Sequence, residues 1–523
     1  MTVLARATSP RSSPRIKPAA RAPLPVLLAA ATVALVTVAP LVIVASQALP
    51  VGWSGSAAYL LRPRVAELVG NTVALVFITV PLTMVIGGGA AWLVERTTLP
   101  GSATWRILLL TPLAVPAFVT SYAWSSAWPS LQGLGAAVLV TTLAYYPFVY
   151  LPTAALLRTL DQGDVDAARA LGETATGAVL RVVVPQLRPA LCGGALLVGL
   201  HLLAEFGVTQ MMRFPTLTTA IMQQYAIGFS DAAGSLLAVV LIGMCLLMLT
   251  IDVLAGSRTR ISSVGPRSRE QPLRAALGWW TVPALAGSGL LVGLAVVLPV
   301  ALVVRWLWRG VQTGAVAGSP LLAATATTLV IAGLASLVTV VAALPGAWLL
   351  DRCRSRLGIA LERLTFVASA LPGIVVGLAL VTAAVQWARP VYQTAALVVL
   401  AYVILFVPRA LVTWRAGLAA APPELAEASR SLGVGGVGTF TRVLLPLVAP
   451  SALTGFVLVF LAAATELTAT LLLAPTGTQT LATAFWAASD ELDYVASAPY
   501  AAMMIALSVP LTLLLRRQIL PSP

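Results

Sequence analysis

The chain has 523 residues, of which 59% are hydrophobic and only 10% are charged, and its mean hydropathy is +0.94. A soluble domain of this composition could not cover its surface with polar side chains, so a water-soluble protein is excluded and the lipid bilayer is the predicted solvent. The formal net charge of +14 comes from 32 basic against 18 acidic residues. On a membrane protein such an excess indicates orientation and contact with anionic headgroups rather than nucleic-acid binding.

The chain begins with a segment that is broken by Pro and Ser and carries the cations Arg6, Arg11, Arg15, Lys17 and Arg21. We predict that residues 1–24 form a basic cytoplasmic tail without a packed core. The apolar run after it, at about 25–49, is too long for the hydrophobic region of a signal peptide and lacks a convincing cleavage site. It is therefore predicted to be the first membrane helix.

Eleven further runs are long and apolar enough to cross a bilayer, which takes about 20 residues. Together they predict an all-α membrane protein with twelve transmembrane helices. In the first half of the chain the further spans are 69–94, 106–126, 134–157, 190–212 and 232–254. In the second half they are 280–304, 325–350, 364–386, 395–414, 450–474 and 498–515.

The charges of the connecting loops alternate along the chain. Loops predicted to be cytoplasmic hold most of the arginines, among them Arg96, Arg158, Arg352 and Arg409. Outer loops hold few cations but contain the acidic cluster Asp490, Glu491 and Asp493. One alternation from end to end satisfies the positive-inside rule and predicts a multi-pass protein of the cell membrane with both termini in the cytoplasm.

A stretch of about thirty residues occurs twice, starting at Asp164 and at Leu425. Six identities lie 261 residues apart (433 − 172 = 261): Arg169/Arg430, Leu171/Leu432, Gly172/Gly433, Arg181/Arg442, Pro185/Pro446 and Pro189/Pro450. An internal repeat fixes the architecture. We predict two parallel six-helix halves, 25–255 and 278–523, related by an axis along the membrane normal and joined by a cytoplasmic linker at 256–277.

Each copy of the repeat begins with a short amphipathic helix. In the first copy this helix is predicted over Asp164–Leu171 and ends at Gly172, and a second helical stretch leads to Pro185. In the second copy the helix starts near Pro422 and ends at Gly433. Such a helix on the cytoplasmic side is suited to docking in a groove of a soluble partner, or alternatively to lying on the lipid headgroups.

The repeat resembles the EAA loop of permease subunits of ATP-binding-cassette importers. The matching positions are Asp166, Ala167, Arg169, Gly172 and Pro185 in one copy and Glu427, Ala428, Arg430, Gly433 and Pro446 in the other. Two departures are mild, because Asp166 stands where the family has Glu and Ser429 where it has the second Ala.

In that family each loop forms a coupling helix that docks on one ATPase subunit. The resemblance therefore implies two copies of a cytoplasmic ATPase that carry Mg-ATP, and an extracytoplasmic solute-binding protein. Both halves resemble the fused, two-loop permeases of the iron(III)-uptake branch, including residues 202–221 and 464–486 after the two loops. Thiamine and phosphonate permeases share the fused layout and stay open as alternatives.

The chain offers no catalytic or metal-binding motif of its own. The only lysine, Lys17, lies in an Arg-Ile-Lys-Pro context, whereas a Walker loop needs Gly-Lys-[Ser/Thr]. The only histidine, His201, lies in an apolar span, and the three cysteines form no CxxC pair. We predict neither an enzyme nor a bound cofactor, so the energy comes from separate ATPase subunits or from an ion gradient.

Two carboxylates, Glu205 and Glu466, fall inside predicted spans at equivalent positions (466 − 205 = 261). Ionisable groups in a membrane are costly and indicate function, so we predict that both line the pathway or gate, in the outer half of the bilayer. The alternative is that each accepts hydrogen bonds that fix helix packing. Tyr145 is a further pathway candidate. A proton-coupled secondary transporter that uses Glu205 and Glu466 is the alternative from a different class.

Overall fold

The computed structural model describes residues 23–226, 231–256, 274–314, 318–352, 356–368, 371–421 and 423–519. Most of the predicted tail (1–22) and of the linker (257–273), and Pro422, lie outside these ranges. The described residues form α-helices, short 3-10 and π-helical turns, and one isolated bridge between Thr97 and Ala275. The predicted all-α class is confirmed.

Twelve helices belong to the first half: α1 (Leu24–Ala48), α2 (Gly52–Leu60), α3 (Pro63–Arg96), α4 (Ser102–Leu108), α5 (Ala117–Ala127), α6 (Gly133–Thr159), α7 (Gln162–Ala170), α8 (Ala175–Ala178), α9 (Val184–Ala204), α10 (Gly207–Met211), α11 (Leu217–Ala226) and α12 (Asp231–Gly256). The second half contains α13 (Thr281–Val292), α14 (Leu298–Gln312), α15 (Gly318–Arg352), α16 (Arg356–Ala368), α17 (Gly373–Trp387), α18 (Ala395–Ala420), α19 (Pro423–Ser431), α20 (Gly436–Thr439), α21 (Leu445–Ala464), α22 (Thr468–Leu473), α23 (Leu481–Asp490) and α24 (Tyr494–Ile519).

Nine helical segments of the described chain are long and apolar enough to cross a membrane. A tenth candidate consists of Ser102–Ala114 and Ala117–Ala127, which meet at an angle of 86°. Two shorter apolar helices, Gly373–Trp387 and Tyr494–Pro510, stand where the remaining spans are predicted. A multi-pass membrane protein is confirmed, whereas the count of twelve spans stays a prediction.

The two halves repeat the same order of elements from α3 and α15 onward. In each half a long helix is followed by a broken one, a second long helix, a short helix and a helix with a π-helical turn. Two of the three π-helical turns in the described residues, Val179–Val183 and Phe440–Leu444, are again 261 residues apart (440 − 179 = 261), and the third, Gly293–Val297, joins α13 to α14. The structure therefore repeats the duplication seen in the sequence, down to a local irregularity.

The π-helical turns change two predicted span boundaries. Pro185 and Pro446 lack the N–H that would continue the helix, and their rings crowd the carbonyl one turn earlier. A wider turn directly before each proline relieves that contact, so the helix continues instead of ending there. The predicted starts at 190 and 450 are wrong, because helical structure begins at Ala175 and Gly436.

The first helix of each half packs against the other half. α1 contacts α15, α16 and α17, and its Val44 shares a core with Ile374. In the second half α14 contacts α5, and Val292 just before it joins the core around Tyr146. Each half therefore packs its first membrane segment against the other half. A cavity between the halves is consequently lined by residues from both. The division into halves at 255 and 278 stays a prediction.

Candidate functional site

The two short helices of the repeat are α7 and α19. The carboxylate of Asp161 accepts a hydrogen bond from the Gly163 N–H at 2.9 Å and so caps α7 two residues earlier than predicted. α7 is followed by Gly172 at φ +94°, and α19 by Gly433 at φ +79°. This left-handed conformation favours glycine, so the predicted ends of both helices are confirmed.

Most of the predicted coupling residues lie at the surface of these two segments. The exposed ones are Asp166, Ala167, Arg169 and Gly172 in the first copy and Glu427, Ala428 and Gly433 in the second. The side chain of Arg430 lies outside the part that the structure describes. Pro185 and Pro446 do not lie on the short helices, because each is the second residue of the next long helix.

An exposed leucine ends each short helix. Leu171 is 87% exposed and Leu432 is 82% exposed, and the two are equivalent in the repeat. The amphipathic pattern predicts Leu171 on the apolar face of the short helix, which is suited either to docking on a soluble partner or to lying on the headgroups. Both leucines are exposed beside a glycine bend, as an apolar anchor for a groove in a second molecule would be.

Glu205 lies at a break between helices and not inside a continuous span. α9 ends at Ala204 and α10 begins at Gly207. The Val208 N–H donates to Glu205 Oε1 at 2.9 Å, and the Tyr145 hydroxyl donates to Oε2. The first N–H groups of a helix have no acceptor within that helix, and hydrocarbon offers no acceptor either. The Glu205 carboxylate accepts from one of these N–H groups, which would otherwise stay unsatisfied at a cost in free energy.

Glu466 lies at the equivalent break in the second half. α21 ends at Ala464 and α22 begins at Thr468. Glu466 Oε1 accepts hydrogen bonds from the Thr468 hydroxyl at 2.8 Å and from the Ala469 N–H at 3.2 Å. The prediction that both carboxylates lie within spans 190–212 and 450–474 is therefore wrong, although their equivalence holds.

Both carboxylates line one cavity of about 390 Å³ whose walls come from both halves. We call it the central chamber. Its other polar lining residues are Tyr145, His201, Arg409, Thr465, Thr468 and Ser508. Tyr145 lies near the middle of the 27-residue helix α6, and the location of the two carboxylates in the outer half of the bilayer stays a prediction. The structure brings Tyr145, Glu205 and Glu466 together, and their role in a pathway stays a prediction.

Arg409 is the chamber residue that sequence reasoning misplaced. It is counted among the cytoplasmic-loop arginines although it falls within the predicted span 395–414. The loop assignment is wrong, because Arg409 lies in the interior of α18, with its guanidinium 5.0 Å from the centroid of the Phe406 ring. His201 lines the same space, with Nδ1 2.8 Å from the Leu197 carbonyl oxygen and its ring 4.5 Å from that of Phe148. The predicted span 395–414 is the sequence signal that separates Arg409 from the loop arginines that come after it.

Aromatic side chains from both halves meet at one wall of the chamber. Phe118 and Phe206 line the chamber, and their ring centroids lie 5.5 Å from Phe485 and 5.0 Å from Trp486 respectively. Phe485 and Trp486 belong to α23, which leads to the predicted outer loop at Asp490. Ring contacts between the two halves therefore support the chamber wall on the side of α23. Among the described residues, no group of three or more His, Cys, Asp or Glu could hold a metal ion.

The sequence is similar to a family of membrane transport proteins and to several of its members. Residues 56–261 and 340–518 match a family described as "Binding-protein-dependent transport system inner membrane component". The chain is 32% identical to the "Fe(3+)-transport system permease protein FbpB 2" of Haemophilus influenzae, over 91% of this chain and 94% of that protein. It is 28% identical to the sulfate transport system permease protein CysW of a Synechocystis species, over 36% of this chain and 75% of that protein. A probable molybdenum ABC transporter permease of Haloferax volcanii is 30% identical over 33% of this chain and 69% of that protein.

Proposed function

The chain belongs to the family of binding-protein-dependent transport system inner membrane components, and from that membership we propose that it passes iron(III) across the cell membrane. It is a permease subunit of an ATP-binding-cassette importer, not itself an enzyme, and it works with ATPase and solute-binding partners. The observation that carries the iron proposal is the ferric permease relative, which matches both halves nearly end to end. The sulfate and molybdenum permeases match only 36% and 33% of the chain.

Two ATPase subunits dock on this chain, one on α7 and one on α19. The support is the pair of exposed leucines, Leu171 and Leu432, each next to a glycine that ends its helix. The chain itself binds no nucleotide in this proposal, because Mg-ATP is held by the partner subunits. Both termini and the linker lie on the cytoplasmic side with these helices, as the distribution of arginines favours.

The central chamber is the passage for the ion in this proposal. Glu205 and Glu466 place two carboxylates on it, and a hard cation such as Fe³⁺ is best matched by oxygen ligands. Tyr145 orients the carboxylate of Glu205 by donating to it. The aromatic contact of Phe118 with Phe485 is the barrier that has to open when the solute-binding protein delivers its load from outside.

Uptake in a strain without other iron importers tests the proposal. The chain is expressed with its neighbouring ATPase and solute-binding protein, and entry of radioactive iron, thiamine and phosphonate is compared with and without a metabolic supply of ATP. We expect ATP-dependent entry of iron alone. Entry of thiamine or phosphonate instead of iron would show that the proposed substrate is wrong. Purification of the chain without an ATPase, together with uptake driven by a proton gradient, would favour a secondary transporter.

A further inference from the structure

Glu95, near the end of α3, is a buried carboxylate that the proposed pathway does not use. Its side chain is 2% exposed. Arg106 holds both of its oxygens, with Nε donating to Oε1 at 3.0 Å and Nη2 to Oε2 at 2.8 Å. Arg158 Nη2 donates to Oε1 at 2.6 Å. Charge-assisted, bidentate contacts of this kind are the strong and geometrically specific hydrogen bonds of proteins.

These contacts tie three segments together at one end of the bundle. Arg106 belongs to α4, which leads through a bend into the chamber wall at Pro116 and Phe118. Arg158 belongs to α6, whose middle carries Tyr145. The carboxylate therefore joins α3 to the two first-half elements that reach the chamber from this end.

The same cluster adjoins the first docking helix. Arg96, the neighbour of Glu95, donates from Nη2 to the Leu160 carbonyl oxygen at 3.1 Å. Leu160 is followed by Asp161, the cap of α7. Arg158 itself is four residues before the first residue of α7 (162 − 158 = 4). Any displacement of α7 is therefore applied directly to the charges around Glu95.

The second half carries different residues at the positions aligned with this cluster. The aligned positions carry Asp351 for Glu95 and Glu362 for Arg106 (both 256 residues later), and Ala419 for Arg158 (419 − 158 = 261). There, Arg415 of α18 forms an ion pair with Glu362 of α16, and about half of the arginine side chain is exposed. The Glu362 side chain is 17% exposed, against 2% for Glu95, so the second pair is more accessible to water and is screened more strongly. Loss of one member of the buried network at Glu95 leaves an uncompensated charge.

We propose that Glu95 is a positioning residue that makes the inner ends of α3, α4 and α6 move as one body with α7. This inference rests on the proposed function, because it assigns the path by which a movement of the ATPase at α7 reaches Tyr145 and the bend before α5. The first half then transmits the movement through a rigid joint, and the second half does so through a looser one.

The test uses the full-length chain assembled with its ATPase and solute-binding protein in lipid vesicles, where ATP hydrolysis and iron entry are both measured. In Arg158→Gln, the paired bonds between Arg106 and Glu95 remain and only the tie to α6 is cut. We expect ATP hydrolysis within about twofold of the unmodified complex and about tenfold less iron per ATP hydrolysed, as coupling energies of single residues allow. Glu95→Gln is expected to do the same.

Glu67→Gln is the matched control, since it breaks an exposed ion pair with Arg64 at 2.9 Å on another part of α3. It should leave the ratio of iron to ATP unchanged. If Glu95→Gln fails to accumulate, the double variant Glu95→Gln/Arg158→Gln removes both members and keeps the net charge.

A purely structural role would lower hydrolysis and entry in the same proportion, and that result, or an unchanged ratio in Arg158→Gln, overturns the inference. Absence of ATP-driven iron entry in the unmodified complex would instead overturn the proposed function, which separates the two failures.

Discussion

Glu205 and Glu466 occupy equivalent positions in the two halves, yet they are held by different neighbours. Glu205 takes one hydrogen bond from Tyr145, a residue of the distant helix α6. Glu466 takes its two hydrogen bonds from Thr468 and Ala469, which belong to its own segment. The position equivalent to Tyr145 is Phe406, which has no hydroxyl to donate (406 − 145 = 261).

The packing around the two carboxylates differs in a complementary way. In the second half Gly373 gives Glu466 and Thr468 room, since a Cβ at that position would lie 2.5 Å from Oε1 and from the threonine hydroxyl. In the first half Ala117 stands there, and the glycine is Gly207, whose Cβ would lie 2.6 Å from the Cβ of Phe118. Both halves therefore keep the acid and the helix break. The glycine that allows close packing differs, because it is Gly373 beside Glu466 in the second half and Gly207 beside Phe118 in the first.

This difference indicates that movements of different helices change the positions of the two carboxylates. Glu205 is oriented by α6, which leads directly into the docking helix α7. Glu466 accepts hydrogen bonds from its own segment, and its link to α18 is the electrostatic interaction with Arg409 instead of a hydroxyl. Matched substitutions at these sites and at the docking helices test whether the two halves respond equally or differently.

The largest effect is expected when both acids are neutralised. Neutralising an acid at about 6 Å from a trivalent ion removes several kcal/mol of Coulomb attraction even at an effective dielectric constant of about 20. Glu205→Gln and Glu466→Gln should each lower iron uptake at least about tenfold, and the double variant should reduce it to background, with the amount of membrane protein little changed. Normal uptake by both single variants would remove the acids from the pathway.

The next largest effect is expected on the affinity of the chain for the ATPase. Leu171→Asp and Leu432→Asp each replace an exposed apolar anchor by a charge, and loss of one buried leucine contact is worth about 1.5–3 kcal/mol. We expect about tenfold or greater weakening of ATPase binding at the altered loop, measured by co-purification and by titration. Leu492→Asn, at an exposed leucine of the predicted outer loop, is the control and should bind the ATPase normally.

The two loops are expected to differ in how strongly docking is coupled to transport. Because α7 adjoins the Glu95 cluster, Leu171→Asp should reduce iron entry per ATP more than Leu432→Asp does. Both quantities are measured in the same lipid vesicles. Equal loss of coupling from both variants would mean that the joint at Glu95 adds nothing.

A smaller effect is expected from filling the space next to Glu466. Gly373→Ala places a methyl group against the carboxylate and Thr468, and such overpacking costs about 1–3 kcal/mol. Iron uptake should fall about three- to tenfold, with a lower melting temperature of the detergent-solubilised protein. Gly333→Ala, in the interior of α15 with no atom near the added Cβ, is the matched control and should be neutral. An unaffected Gly373→Ala would show that Glu466 does not need its present position.

Local features of this fold could be predicted from the sequence, and features that depend on distant contacts could not. The ends of α7 and α19 follow from Gly172 and Gly433, because a glycine in a left-handed conformation terminates a helix without help from elsewhere. The duplication follows from one constant spacing. The choice between docking on a partner and lying on the headgroups could not be made from the amphipathic pattern alone, because both uses need an apolar face that includes Leu171.

The helix breaks at Glu205 and Glu466 have no strong local marker, because apolar residues continue on both sides of each acid. The acids themselves stabilise these breaks by capping α10 and α22, and for Glu205 a hydroxyl from α6 contributes as well. The position of Arg409 depends in the same way on a chamber that exists only once both halves have assembled. Hydropathy averaged along the chain registers neither of these contacts.

The smallest effect is expected from removing a single hydroxyl, and it tests the difference between the halves most directly. Tyr145→Phe takes away the donor to Glu205 Oε2 and makes position 145 match Phe406 of the second half. A lost hydrogen bond of this kind is worth about 0.5–1 kcal/mol, so iron uptake should fall about two- to fivefold while ATPase binding is unchanged. Phe406→Tyr, the reciprocal exchange, should leave uptake near its normal level, because Thr468 and Ala469 already hold Glu466. Equal sensitivity of the two positions would mean that both carboxylates depend on the neighbouring long helix, and the asymmetry between the halves would then be confined to the inner joint at Glu95.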